Sequence, residues 1–450
     1  MKKYNFSLLV SEPLKNYNKK INIDSDKSIS IRSFLISSIS EGVSTINNVL
    51  ESEDVISTIN CLKKLGIKII KIGKKKYKVF GKGLGSFKIR NNSSLNFGNS
   101  GTLARLIVGI ITSTPNMIVN LYGDSSLNKR SMKKLILLMS KFGASFVPKN
   151  KVHLPLKIIS SNYPIGITYN AGTSAQLKSA VILAALNSFG NTSIIEKKQS
   201  RDHTENMLKK NSKTIKIINK KFKSIKVFGK VHLNKNYLNV AGDPSTAAFF
   251  TALTLLKDNA SLRIKNVGLN PTRIGFYNLL KRSGAKIKFL KVKIINNERV
   301  GDILVKSSKM KPIKASKEFY YNTTDEYPIL FVISALLNGK SYFSGISDLA
   351  NKESNRILEM QKILKQIGIT SKFKKDKLMI QGKKVISNIK RKILVKKLGD
   401  HRICMSTVIL SLITGVPAKI NNFETVNTSS PNFLNTIKYL GGKFEKKRIY

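Results

Sequence analysis

The stretch CLKKLGIKI (Cys61–Ile69) ends an apolar helical pattern, spaces it with two lysines, places a glycine at Gly66 and then alternates. Glycine is the expected residue just past a helix, where the backbone turns left-handed at little steric cost. The same design recurs in LLMSKFGASF (Gly143), LLKRSGAKIKF (Gly284), ILKQIGITSKF (Gly368) and IKYLGGKFE (Gly442). A weaker sixth, MLKKNSKTIKI, puts Asn211 and Ser212 at the glycine position. Spacings of about 70 to 85 residues imply six repeated α+β units in 450 residues, grouped as two domains of three. The pattern predicts units of the form βαββαβ in an α/β (α+β) chain. The chain is expected to cross between domains near residues 22–26 and 238–243. That gives a discontinuous domain, 1–24 plus 241–450, and an inserted domain, 25–240.

Hydrophobic residues make up 41%, which suits packed cores and argues against disorder. The opening run MKKYNFSLLVSEP is too short for a secretory core, and no apolar run approaches a membrane span. Cys61 and Cys404 lie in apolar helical patterns without redox or metal spacing, and read as buried small hydrophobes. A cytoplasmic protein without membrane contact is the expectation.

The formal net charge of +55 invites a nucleic-acid reading. The lysines, however, are spread over turns and helix faces instead of forming a stripe with interleaved aromatics, so no nucleic-acid partner is expected. Arginine is scarce, with 13 against 67 lysines, and therefore informative. A planar fork grips phosphate or carboxylate in a way lysine does not. Seven of the 13 fall in Gly/Ser/Asp-rich motifs: Arg32, Arg105, Arg130, Arg201, Arg273, Arg356 and Arg402.

These motifs place small or hydroxyl residues at a turn and then an apolar helix, a start that exposes N–H groups to an anion. In FGNSGTLARLIVGI, Gly98 to Thr102 precede a helix with Arg105 on the side of Gly101, and Asn99 and Thr102 are expected to cap or donate. NAGTSAQLKSAVILAAL brings Ser174 and Gln176 to another start. SRDHTENML reads as a capping box from Asp202 to Glu205, with His203 on the helix surface and Ser200 and Arg201 toward an anion. GDPSTAAFF and LGDHRICM carry caps at Asp243 and Asp400, the latter followed by Arg402. TTDEYPILF and NKESNRILEM add Asp325 and Glu353, carboxylates among cations that suit a base. Lys352 beside Glu353 reads equally as a surface pair. The residues alone describe a two-domain protein acting on a small multiply anionic ligand.

DKSISIR (Asp26–Arg32), GNSGTLARL, GDSSLNKRSM, TSAQLKSAVILA, SRDHTENML, GDPSTAAFF, GLNPTRIG, DEYPI, NKESNR and GDHRI occur in this order from about Ile21 to Gly442. In that order they resemble the 5-enolpyruvylshikimate-3-phosphate synthase family of enolpyruvyl transferases, in its second class. The resemblance implies transfer of the enolpyruvyl group of phosphoenolpyruvate to the 5-hydroxyl of shikimate 3-phosphate, with loss of phosphate through a tetrahedral intermediate. It implies no metal or organic cofactor, a monomer, and inhibition by glyphosate, for which Gly101 leaves room. Lys27, Gly101, Arg130, Gln176, Glu353, Arg356 and Arg402 would surround phosphoenolpyruvate. Lys27, Ser28, Arg32, Ser174, Ala175, Gln176, Arg201, Asp325 and Lys352 would hold shikimate 3-phosphate. Asp325 would deprotonate the 5-hydroxyl, with Glu353 and Lys27 handling protons at C3. The chain departs from the family at Asp24-Ser25, where Pro-Gly is usual, and at Ile31, Ser131, Ala350, Asn355 and Asn427, so a changed turn before Lys27 is expected. Two rival readings are a sister transferase acting on UDP-N-acetylglucosamine, whose loop cysteine has no counterpart here, and a charge-driven nucleic-acid binder.

Overall fold

A computed structural model describes residues 5–90, 93–219, 221–384, 386, 392–396 and 398–448. It contains six four-stranded sheets. One shows the plan, from which the sheet containing Ile393–Val395 departs by taking its last strand, Phe6–Val10, from the start of the chain to pair with Phe444–Arg448. Strands Thr168–Ala171 and Asn191–Glu196 run parallel, joined by the helix Ala175–Ala185, because parallel neighbours need a crossover. The chain continues through the helix His203–Leu208 to strands Ile215–Asn219 and Lys223–Phe228, which pair antiparallel. The order along the chain is thus βαβαββ, with the two hairpin strands last, where the glycine spacing had pointed to βαββαβ. The helix-end glycines hold φ between +72° and +99° at Gly66, Gly143, Gly284 and Gly368. In the last stretch the left-handed residue is Gly441, not Gly442. Asn211 and Ser212 do not adopt that conformation, and the helix before them ends early, at Leu208.

Each sheet has a central helix that is apolar or small almost all round, and such a helix must be enclosed. Gly101–Thr112, Pro244–Leu256 and His401–Thr414 bury nearly every residue. The second helices are amphipathic, apart from the wholly buried His203–Leu208; Glu53–Lys64, for example, buries Val55, Ile59 and Leu62 and exposes its lysines. Close packing of central helices uses Gly109, where a Cβ would meet the Ala180 carbonyl oxygen at 2.4 Å.

The chain divides into two compact units: residues 1–24, 241–293 and 299–450, and residues 25–240 with 294–298. Each has its own hydrophobic core. In two sheets the first strand is exchanged. Asn18–Asn22 pairs with Ser261–Gly268 in the first unit, although the next element along the chain is the helix Lys27–Ser38 of the second. Tyr237–Asn239 closes the second unit by pairing with Glu41–Asn47. No helix among the described residues is long and apolar enough to cross a membrane.

The Asp24-Ser25 departure has a structural role. The Asp24 carboxylate accepts from Ser430 Oγ (2.8 Å), Asn432 N (3.0 Å) and Asn432 Nδ2 (2.7 Å), stapling the strand end to the turn at 430–432. The helix start is kept by Asp26, which accepts from Ile29 N at 2.8 Å. Ile31 is a fully buried core residue.

Candidate active site

Most candidate motifs stand at the N-termini of the six central helices, and those of Arg201 and Arg356 at the starts of second helices, where unpaired N–H groups and the helix dipole favour negative charge. In the second unit, Lys27 opens the first of these helices, and its Nζ lies 3.0 Å from Asp54 Oδ2. Arg32, one turn on, is buried. It donates through Nε to Thr204 Oγ1 (3.0 Å), through Nη2 to Ser179 Oγ (3.2 Å) and through Nη1 to the Ser28 carbonyl (3.1 Å).

Ser100, not Asn99 or Thr102, caps the next helix by accepting from Leu103 N. Asn99 does donate, through Nδ2 to Asp124 Oδ2 at 2.7 Å, and accepts from Arg130 Nη2 at 2.7 Å, while Thr102 Oγ1 accepts from Gln176 Nε2 at 3.0 Å. Arg105 Nη1 bonds both the Gly101 carbonyl and Gln176 Oε1, at 3.0 Å each. Gly101, Arg105, Arg130 and Gln176 therefore share one spot, and a Cβ on Gly101 would sit 2.7 Å from Arg105 Nη1 and 3.2 Å from Arg130 Nη1. Ser174 caps the third helix, whose first residue is Ala175.

Arg201 is half-buried in the short loop before the helix His203–Leu208. The capping-box reading of this loop is overturned. Asp202 makes no side-chain cap bond, and Glu205 is fully buried, 2.7 Å from Lys178 Nζ. His203 is buried too, with Nδ1 2.8 Å from Glu298 Oε1. Lys178 also meets Glu196 Oε1 at 2.8 Å. Burial works against the Lys178 charge, but Glu205 and Glu196 hold its pKa above the ordinary lysine value.

In the first unit Arg356 is the hub. It is 1% exposed and draws carboxylates from three motifs: Nε to Asp400 Oδ2 (2.9 Å), Nη2 to Glu353 Oε2 (2.6 Å) and Nη1 near Asp325 Oδ1 (3.7 Å). Burial disfavours its charge, and Asp400, Glu353 and Asp325 more than offset that, so its pKa stands above the usual arginine value. Asp400 is both a cap, accepting from Arg402 N at 3.0 Å, and the partner of Arg356. Sequence spacing showed only the cap.

Arg402 is different. It is 5% exposed, and its Nε and Nη1 are buried without a hydrogen-bond partner among the described residues. Its guanidinium lies 6.0 Å from the Phe249 ring. A buried cation without an acidic partner is unfavourable until an anion arrives. Lys352 pairs with Asp348 (2.6 Å), not Glu353, and Tyr320 donates to the same carboxylate at 2.6 Å.

Two units of repeated βαβαββ sheets, each with anion-ready helix starts, are the architecture of the enolpyruvyl transferases. The solved enolpyruvyl transferase NikO from Streptomyces tendae matches it with a TM-score of 0.75 at 12% identity, covering 99% of this chain and 100% of that one, a likeness of fold. The chain belongs to the EPSP synthase (3-phosphoshikimate 1-carboxyvinyltransferase) family, whose profile matches residues 11–437. A 3-phosphoshikimate 1-carboxyvinyltransferase from Petrotoga mobilis is 40% identical over 94% of this chain and 96% of its own length. One from Zymomonas mobilis is 35% identical over 97% of each. A solved EPSP synthase from Acinetobacter baumannii matches with a TM-score of 0.84 and 31% identity, over 98% of this chain and all of that one.

Proposed function

We propose that this enzyme joins phosphoenolpyruvate to shikimate 3-phosphate and releases phosphate. The observation that carries this reading is the contrast around Asp400. Arg356 is hydrogen-bonded to two carboxylates and lies 3.7 Å from a third, whereas buried Arg402, two residues past Asp400, has no ion pair among the described residues and is left for an anion. Carboxylates able to move protons and a cation able to hold phosphate thus sit on adjoining helix starts, as an addition–elimination requires.

In this reading Asp325 takes the proton of the 5-hydroxyl as its oxygen bonds C2 of phosphoenolpyruvate, and C3 gains a proton from Glu353 or Lys27. The tetrahedral adduct then loses phosphate, and a proton leaves C3 to restore the double bond. Arg356, Arg402 and Arg130 stabilise the departing charge, and Gly101 and Gln176 leave a small polar surface for the enolpyruvyl group. Ser28, Arg32, Ser174, Ala175, Gln176, Arg201 and Lys352 hold the shikimate 3-phosphate. The test is phosphate release by the purified protein given both substrates, which is expected for the wild type and absent in Asp325→Ala. No release from the wild type, or equal release from the variant, would overturn the reading.

A further inference from the structure

Adjacent residues on one helix clasp adjacent residues on another. Lys178 Nζ lies 2.7 Å from Glu205, while Ser179 Oγ accepts from Thr204 Oγ1 at 2.8 Å. The clasp extends both ways along the chain. Glu196 takes Lys178 at 2.8 Å and accepts the Ser200 N–H (2.7 Å) and hydroxyl (2.6 Å), so the residue before Arg201 hangs from the same carboxylate. Thr204 and Ser179 together receive Arg32. Lys178 N bonds the Ser174 carbonyl at 3.1 Å, one turn below.

Lys178, Glu196 and Glu205 are wholly buried, and Lys223, 3.4 Å from Glu205 and 3.7 Å from Glu196, balances the second negative charge. Such a cluster holds one geometry, because any slip leaves a charge unpaired in a medium that cannot solvate it. A structural apolar contact would have supported the loop without dictating where Ser200 sits.

We infer that Lys178 is a positioning residue. Through Glu196 and Glu205 it sets the spacing of Ser174, Arg201 and Arg32, and so governs affinity for shikimate 3-phosphate without touching it. This rests on the substrate assignment proposed above. Phosphoenolpyruvate is assigned mainly to other side chains, so the two Michaelis constants should separate.

The experiment is steady-state phosphate release by wild type, Lys178→Met and Ser200→Ala, varying each substrate in turn, with thermal denaturation alongside. Lys178→Met should raise KM for shikimate 3-phosphate about tenfold or more, with kcat and KM for phosphoenolpyruvate within about threefold. Ser200→Ala, which removes one hydroxyl, should raise the same KM about threefold at unchanged Tm. Equal changes in both KM values, or a fall in kcat alone, would overturn the inference and leave the cluster a mere scaffold. If Lys178→Met does not fold, Ser200→Ala decides, an unchanged KM being the negative result. Inactive wild-type protein would instead refute the substrate reading, and this inference with it.

Discussion

Arg356 Nε donates to Asp400 Oδ2 at 2.9 Å, binding a buried guanidinium on one helix start to the cap of another. Lysine cannot reproduce that fork, which also serves Glu353. Arg356→Lys is therefore expected to lower kcat/KM at least ~100-fold, about 2.7 kcal/mol of transition-state stabilisation. Asp400→Asn keeps a competent cap but removes the charge. It should retain the far-UV circular dichroism of the wild type and lose most phosphate release. Full activity in Asp400→Asn would show the pairing to be architectural only.

The isolation of Arg402 makes an unusual stability prediction. Removing a buried, uncompensated cation relieves a desolvation penalty, so Arg402→Met should match or exceed the wild-type Tm in ligand-free buffer. Inorganic phosphate should raise the wild-type Tm through binding linkage and the variant's far less. Differential scanning fluorimetry over a phosphate series checks both; a variant that melts lower yet responds equally to phosphate contradicts the assignment.

Gly101→Ala tests how the glycine serves its neighbours. The atoms its Cβ would strike are the ends of Arg105 and Arg130, which swing away without moving backbone. The change in Tm should stay within about 3 °C, while KM for phosphoenolpyruvate rises about tenfold because two cations are displaced. A large drop in Tm would mean that the helix start itself had shifted.

The Glu205 carboxyl titrates below its ordinary value; burial raises it, but the Lys178 and Lys223 charges win. A lowered carboxyl contributes stability that is complete above its unfolded value, near 4.3, and is lost as pH falls through the folded value. Lys178, raised, contributes below about 10.4 and loses that contribution as pH climbs past its folded value. Glu205→Gln should thus be destabilised by about 3–5 kcal/mol at neutral pH, the cost of stranding a buried partner, with the gap closing in acid. Urea denaturation at pH 7 and pH 3 checks the sign. A gap that widens in acid would exclude the linkage.

Burial pushes the Cys61 thiol up to about 12 and Cys404 higher still. Thiolates are the reactive form, so the native protein should yield no equivalents to a thiol reagent at pH 8 and two after denaturation. Rapid native labelling of either cysteine would contradict the packing described.

What the sequence revealed follows from the range of each signal. Helix ends are local, so the glycine pattern marked five of the six units directly and left the sixth, at Asn211-Ser212, to the spacing. Arginine scarcity against abundant lysine pointed to Arg356 and Arg402 for the same reason: only a few positions needed a fork. Partners were not legible. Nothing near Asp54 marks it as the mate of Lys27, and a D-x-x-E spacing cannot say that Glu205 turns inward to a lysine 27 positions earlier, 205 minus 178. The cap at Asp400 was visible and its bond to Arg356, 44 positions away, was not.

Asp243 N donates to the Asp24 carbonyl at 2.9 Å, so the chain leaves the first unit and re-enters it at hydrogen-bonded neighbours. Residues 25–240 leave and return at one doorway, and residues 294–298 are the one further segment of the chain that joins the inserted unit. A short bridge from Asp24 to Ala241 could seal the first unit as its own polypeptide, and residues 25–240 could be expressed apart. The fold thus carries a built-in seam for a split protein, with separate folding of each piece as its signal.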